Sequence, residues 1–320
     1  MIESLPLLAW PSLKTILTIL VYHRVLVEPD PLRQGEAVAE VFDQEMRFLS
    51  KHFAVLPLLE AVSLLKQGAL PKRACCITFD DGYADNLTVA LPILKRYDLP
   101  VTVFVATGYL DGQRMFNDAV IDAIARSERS QLDLRELDLG QHPLETLSDR
   151  QKAVVAILGK FRYRAPEARE RALPQFFELV ACGPLLAGTM LSRDQVRDLA
   201  GQGVEIGGHT VTHPILTSVD DARVKDEMMK GKQQLEDLIG KQVKVFAYPN
   251  GQPQKDYAMR HVAMVSEVGF EVAVTTARGV SNRDSDVFQL PRFAPWGASE
   301  LRWAAQLMKN AWIGKAAAIC

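Results

Sequence analysis

A parallel α/β fold, with about seven strands in a barrel-like layout, is what this 320-residue sequence predicts. Three features carry that reading. Short apolar runs alternate with stretches of helical periodicity. No turn of the Asn-Gly type joins two neighbouring strands, so the connections should be right-handed helical crossovers, in an open sheet or a closed barrel. Finally, several of the strands end in reactive side chains, which is where active sites lie in such folds.

The elements follow in order. Ile16 to Tyr22 reads as a first strand and His23 ends it. Phe42 to Phe53 has apolar residues at helical spacing, with Asp43 and Glu45 in its first turn. Leu58 to Gln67 is a second helix. Cys75 to Phe79 is a buried strand ending at Asp80-Asp81-Gly82. A helix over Asn86 to Tyr97 leads through Pro100 to the strand Val101 to Ala106, and Asp118 to Arg126 forms the next helix, with Asp118 either a polar group at the rim or simply an N-cap. From about 127 to 190 the pattern weakens into charged sequence with helices near Arg150 to Phe161 and Ala165 to Val180. We read this as a mainly helical insertion, a lid or cap, in a single domain spanning 1–320. Ser192 caps the helix Arg193 to Gly201, with glycine closing it. The strand Val204 to Gly207 delivers His209, and Asp220 to Ile239 is a long helix closed by Gly240. Val243 to Tyr248, Phe270 to Thr275 and Phe288 to Phe293 are further strands. Asp256 to Val268 and Ser299 to Met308 are helices.

Composition narrows the function classes. The chain is 48% hydrophobic and 24% charged, which suits a sizeable core. A net charge of -2 argues against a nucleic-acid partner. Cys75 and Cys76 are adjacent in a strand and face opposite ways. With Cys182 and Cys320 they match no metal or redox spacing, and all four read as reduced thiols. The apolar stretch Leu5 to Val21 is broken by Pro6, Pro11 and Lys14 and lacks a basic lead-in with a cleavage site. Its uninterrupted part is far shorter than the ~20 residues of a membrane span. We expect a cytoplasmic location without a transmembrane segment, with peripheral membrane association left open.

The chemistry concentrates in two places. Asp80 and Asp81 end one strand. His209 and His213, four residues apart, follow Gly207-Gly208, which let the backbone turn tightly; the histidines can face one ion if the turn between them is helical. Either stretch alone reads as readily as a turn or a structural histidine. Together they make a two-histidine, one-carboxylate metal site with a spare carboxylate as base, the equipment of metal-assisted hydrolysis.

The tracts Thr78-Phe79-Asp80-Asp81-Gly82, His209-Thr210-Val211-Thr212-His213 and Phe246-Ala247-Tyr248-Pro249-Asn250-Gly251, with Val21-Tyr22-His23-Arg24-Val25 at the start, resemble polysaccharide deacetylases of the NodB-homology type, carbohydrate esterase family four. The resemblance spans about Thr15 to Pro295. It implies a distorted (β/α)7 barrel that removes N-acetyl, or less often O-acetyl, groups from a polysaccharide, oligosaccharide or lipid-linked sugar, in exopolysaccharide or envelope-glycan synthesis. By position, Asp80 would be the base. Asp81, His209 and His213 would hold a divalent metal, most often zinc, with cobalt, nickel or manganese as alternatives. Tyr248 and Asn250 would serve substrate and oxyanion, through a backbone N–H near Asn250.

Two departures from the pattern matter. The arginine that many members carry before the proline of the third motif is replaced by Ala247, so Arg292 becomes the candidate partner of Asp80. The C-terminal Leu-x-His is missing, and the last histidine, His261, falls in a helix away from the rim. His23 is therefore the candidate general acid. Tyr83, Tyr248, Phe293 and Trp296 are candidates for sugar stacking, and 115–118 for polar rim groups. Two other readings stay open: an amide or imide hydrolase on the same scaffold, and a catalytically silent glycan-binding protein.

Overall fold

The computed structural model describes residues 16–183, 188–297 and 299–313. Most of the Leu5 to Val21 stretch, and Cys320, lie outside these. Seven parallel strands stand side by side in chain order: β1 (Leu17–Tyr22), β2 (Ala74–Phe79), β3 (Thr102–Val105), β4 (Glu205–Gly208), β5 (Val245–Ala247), β6 (Val272–Arg278) and β7 (Leu290–Arg292). The ring closes where the Phe293 N–H donates to the Ile19 carbonyl at 2.8 Å and the Val21 N–H to the Phe293 carbonyl at 3.1 Å. A short strand, Ala54–Val55, shares the outer edge of β2 with β3. Pairing is thin between β4 and β5 and shifts register between β6 and β7. The barrel is thus the distorted seven-stranded one expected.

Strand alternation decides what lies inside. Leu17, Ile19, Cys76, Phe104, Val245, Ala247, Val272, Val274 and Leu290 share one apolar cluster, which also takes Leu58, Ala61, Val62 and Leu65 from α2 (Leu58–Gln67). The alternate residues, among them Leu20, Tyr22, Cys75, Ile77, Phe79, Val103, Val105 and Phe246, pack outward into the helical layer. Cys75 and Cys76 accordingly fall in different clusters, both as free thiols.

Gly207 and Gly208 serve the barrel differently from the tight turn expected. Neither has positive φ. A Cβ on Gly207 would collide with the ring of Phe104, and one on Gly208 would approach Phe270 to 2.9 Å. These glycines make room for aromatic rings on the two sides of the sheet.

Helices clothe the outside: α1 (Ala39–His52), α3 (Leu91–Arg96), α4 (Phe116–Arg126), α7 (Arg193–Gly201), α8 (Asp221–Ile239), α9 (Met259–Glu267) and α10 (Glu300–Ile313). A π-helical turn over Asn86–Ala90 runs into α3. Two local expectations need correcting. Met115, not Asp118, stands at the N-cap of α4, and Asp118 is a buried ion-pair partner of Arg24 and Arg33. Helix α7 ends through Gln202, with Gly203 taking the left-handed turn.

The insertion contains α5 (Leu147–Arg162) and α6 (Pro166–Val180), as its periodicity suggested, and an unexpected antiparallel hairpin, Gln131–Leu134 with Gly140–Pro143. Asp138 and Gly140, both at positive φ, make its turn. A separate apolar cluster, centred on Leu132, Ile157, Phe161 and Phe176, joins these pieces to Val120 and Ile124 of α4. No helix among the described residues is long and apolar enough to cross a membrane.

One buried acid makes the fold pH-sensitive. Glu45 lies on the core face of α1, between Phe42 and Phe48, and burial pushes its carboxyl from 4.5 up to about 8. The folded state therefore binds this proton more tightly than the unfolded state. The stability it lends is complete below about pH 4.5 and is lost as pH rises through about 8. Glu45→Gln should melt higher than the parent at pH 9, by about 5 °C, and close to it at pH 5. Equal melting shifts at both pH values, followed by circular dichroism, would contradict this placement.

Candidate active site

Asp80 continues the inward sequence Cys76, Thr78, Asp80 beyond β2, and Arg292 continues it from Leu290 on β7. Alternation alone therefore points both charges into the top of the barrel. There they meet as a two-pronged pair: Arg292 Nη1 donates to Asp80 Oδ1 at 2.7 Å and Nη2 to Oδ2 at 2.6 Å. Arg292 also donates from Nε to the Thr275 carbonyl at 2.9 Å and from Nη1 to Thr78 Oγ1 at 3.2 Å. It is 1% exposed, so its guanidinium is fixed on three strands. Burial alone would raise the pKa of Asp80, but the Arg292 charge and hydrogen bonds outweigh it and hold the carboxyl below its ordinary value.

Asp81 would face outward on a straight strand. Its φ of 73° swings it back over the rim. Its Oδ1 lies 3.4 Å from Nε2 of both His209 and His213, and the three ligand atoms fall within 4.8 Å of one another. His209 Nδ1 sits 2.7 Å from the Ala247 carbonyl. A carbonyl only accepts, so Nδ1 carries the hydrogen and Nε2 presents its lone pair. Burial pushes His213 down to about 4, against the pull of Asp81, so it is neutral at pH 7. The buried Oδ1 of Asp81 has no hydrogen-bond partner. Three lone-pair atoms converge without a donor between them, and a divalent cation fits that donor set.

The histidines do not converge through a helical turn, as their spacing suggested. Thr210 and His213 take positive φ of 64° and 53°. The loop is held by Glu227 of α8, a buried carboxylate that sequence reasoning missed. Glu227 accepts from the Val211 N–H at 2.9 Å, the Thr212 N–H at 2.7 Å and the Thr212 hydroxyl at 2.5 Å. The only sequence signal was an acid inside the apolar stripe Val224, Met228, Gly231. Gly231 and Gly108 sit against the loop backbone, where a Cβ would come within 3.0 Å of the Thr210 carbonyl group and 2.7 Å of the Val211 oxygen.

These groups border one cavity of about 390 Å³, with His23, Asp80, Asp81, His209, His213 and Asn250 in its wall. His23 is reachable from this space. The surrounding protein disfavours its charge, but Asp81, Asp80 and Glu36 outweigh that and raise its pKa above the ordinary value. His23 therefore tends to hold a proton beside the carboxylates. Asn250 takes positive φ of 56°, and its carbonyl accepts from Thr276 Oγ1 at 2.5 Å.

Tyr248 is a correction. Its side chain is fully buried, stacked on Tyr257 at 4.0 Å, and its hydroxyl donates to the Phe288 carbonyl at 2.9 Å. Its N–H is spent on Val274. It can serve neither substrate nor oxyanion. Among the stacking candidates Phe293 is 3% exposed, and Trp296, half open, lies under Arg302. Tyr83 does line the cavity and braces it by donating to Asp118 at 2.8 Å. Phe116 and Asn117 line it too. Leu158, Arg162 and Arg169 of the insertion form a wall that no motif announced. His261 is buried in α9, away from the cavity.

A closed parallel barrel with this donor set defines a metal-dependent hydrolase. A family model described as polysaccharide deacetylase matches residues 67–273, and the chain belongs to that family. The Bacillus subtilis protein YxkH, which carries the family's name, is 22% identical over 278 residues, 86% of this chain and 70% of its own length. A poly-beta-1,6-N-acetyl-D-glucosamine N-deacetylase of Staphylococcus aureus is 33% identical over 113 residues, 35% of this chain and 39% of that protein. The fold is that of the Streptococcus pyogenes deacetylase PplD, at a TM-score of 0.62 and 19% identity over 93% of this chain and 98% of the other. It is also that of IcaB from Ammonifex degensii, at 0.59 and 19% over 92% and 97%.

Glu227→Ala should strand two loop N–H groups and let the histidine loop relax. We expect zinc affinity to fall by about 10–100-fold, read by competition with a chromogenic chelator, and the protein to lose roughly 2–4 kcal/mol of stability. Unchanged zinc affinity would show that the loop holds its own shape.

Proposed function

We propose that this protein removes N-acetyl groups, with O-acetyl groups as the lesser alternative, from an amino-sugar glycan, polymeric or lipid-linked. The observation that carries the proposal is the division of labour between adjacent aspartates. Asp81 completes the ligand set with His209 and His213, while Arg292 keeps Asp80 ionised and turned toward the same cavity. Zinc is the metal we propose for the site, with cobalt, nickel or manganese as substitutes. Bound there, a divalent cation would polarise the acetyl carbonyl and lower the pKa of water.

The residues divide the proton work. Asp80, held as the anion, takes the proton of the attacking water. His23, with its raised pKa, gives a proton to the leaving amine nitrogen. Arg292 touches no substrate; it positions Asp80 and keeps it charged. Asn250 borders the cavity, and its backbone N–H is the donor we assign to the developing oxyanion. The staphylococcal relative acts on poly-beta-1,6-N-acetyl-D-glucosamine, which supports an N-acetylated amino-sugar polymer as substrate class.

Acetate release from N-acetylglucosamine oligomers, by metal-stripped protein with and without zinc, tests this directly. We expect release that needs metal and falls by at least about 1,000-fold in Asp80→Asn. Metal-independent release, or an active Asp80→Asn, would overturn it. His23→Ala separates the acid from the base. It should slow amide hydrolysis by about 100-fold. An acetyl ester with a nitrophenolate leaving group, which departs unprotonated, should be slowed far less. Equal losses on both substrates would remove His23 from the role of acid.

A further inference from the structure

Arg169 carries a buried charge with no ion-pair partner among the described residues. It is 6% exposed and lines the cavity that holds Asp81, His209 and His213. Its guanidinium carbon lies 4.2 Å from the centre of the Phe116 ring. No carboxylate among the described residues comes within ion-pairing distance of it. The nearby acids do not reach it: Glu167 pairs with Arg223, and Glu170, exposed, shares with Arg169 the wall of another cavity of about 500 Å³ without forming an ion pair. The Tyr109 hydroxyl donates to the Thr212 carbonyl at 3.0 Å. A guanidinium cannot shed its proton to escape burial. Its desolvation is offset only in part by the Phe116 ring.

Arg162 adds a second charge. It lines the same cavity and an adjoining one of about 430 Å³, which shares Glu36, Tyr83, Asn117 and Leu158 with the first. Arg162 likewise has no ion-pair partner among the described residues. Of the acids along the two cavities, Asp80 is taken by Arg292, Asp81 faces the histidines, Asp118 pairs with Arg24 and Arg33, and Glu36 accepts the Arg24 N–H at 3.2 Å beside His23; none of them forms an ion pair with Arg162 or Arg169. The insertion thus brings two guanidiniums without an ion-pair partner among the described residues, Arg169 buried and Arg162 exposed, to the space a substrate must fill.

We propose that Arg169, assisted by Arg162, binds an oxyanion carried by the glycan beside its acetylated sugar: a uronate carboxylate within the chain, or a phosphate at its reducing end. The planar fork of arginine suits both groups. This inference rests on the deacetylase reading for the position of the sugar, and it makes the preferred substrate an acidic one.

The test uses the zinc-loaded full chain and three short oligosaccharides: a neutral N-acetylglucosamine trimer, a trimer with one glucuronate, and an N-acetylglucosamine oligomer ending in a glycosyl phosphate. Acetate release is compared for the parent, Arg169→Gln and Arg169→Lys. Binding to the Asp80→Asn form, with and without Arg169→Gln, is measured by calorimetry. The parent should favour one anionic substrate over the neutral trimer by about tenfold or more in kcat/KM, through KM. That ratio should fall toward one in Arg169→Gln, stay partly intact in Arg169→Lys, and shrink between 20 and 200 mM salt. Whichever anion is preferred identifies the source of the charge. No preference in the parent, or an undiminished ratio in Arg169→Gln, overturns the site while leaving the deacetylase reading in place. Anion-selective, Arg169-dependent binding without acetate release from any substrate would do the reverse.

Discussion

The pair between Arg292 and Asp80 is the interaction on which this active site depends. It joins the last strand of the barrel to the second, across the strand that closes the ring. A buried ion pair of this kind is weak evidence for stability, because desolvating both charges offsets much of their attraction. Its value here is chemical. Two carboxylates stand next to each other in sequence and need different duties. The arginine fork commits Asp80 to one orientation and one protonation state, and leaves Asp81 to the histidines.

The barrel supplies this arrangement through simple alternation. Inward residues of β2 run from Cys76 through Thr78 to Asp80, and those of β7 from Leu290 to Arg292. Arg292 also lies over the Phe104 ring, 5.8 Å from its centre, and Phe104 occupies the space that the missing side chain of Gly207 leaves. A chain of packing therefore runs from Gly207 through Phe104 to Arg292 and Asp80. The metal ligands depend on a second device, local positive φ. Asp81, Thr210 and His213 all take left-handed conformations that disfavour L-residues. Glu227 and the hydrogen bond from His209 to Ala247 hold the strained loop in place.

Much of this was legible in the sequence because it is periodic or local. Six of the eight site residues reach the cavity and a seventh, Arg292, reaches Asp80 beneath it. Tyr248 failed for a reason the sequence already contained: if Val245 and Ala247 point inward, Phe246 and Tyr248 must point outward. Glu227, Arg162 and Arg169 were illegible for a different reason. They sit on helices whose approach to the rim is set by tertiary packing, and nothing in their own spacing marks a site. The hairpin over 131–143 escaped because its turn uses Asp138 and Gly140 separated by Leu139, not an Asn-Gly pair.

On the proposed reading, Asp81, His209 and His213 together hold one divalent cation beside a clamped Asp80. A crystal structure of the zinc-soaked protein, with diffraction recorded on both sides of the zinc absorption edge, tests it most directly. One strong anomalous peak should lie about 2 Å from Nε2 of each histidine and from Asp81 Oδ1, with Asp80 still forked to Arg292 and outside the coordination shell. An anomalous map without a peak there, or a peak that draws Asp80 into the shell and frees Arg292, would contradict it.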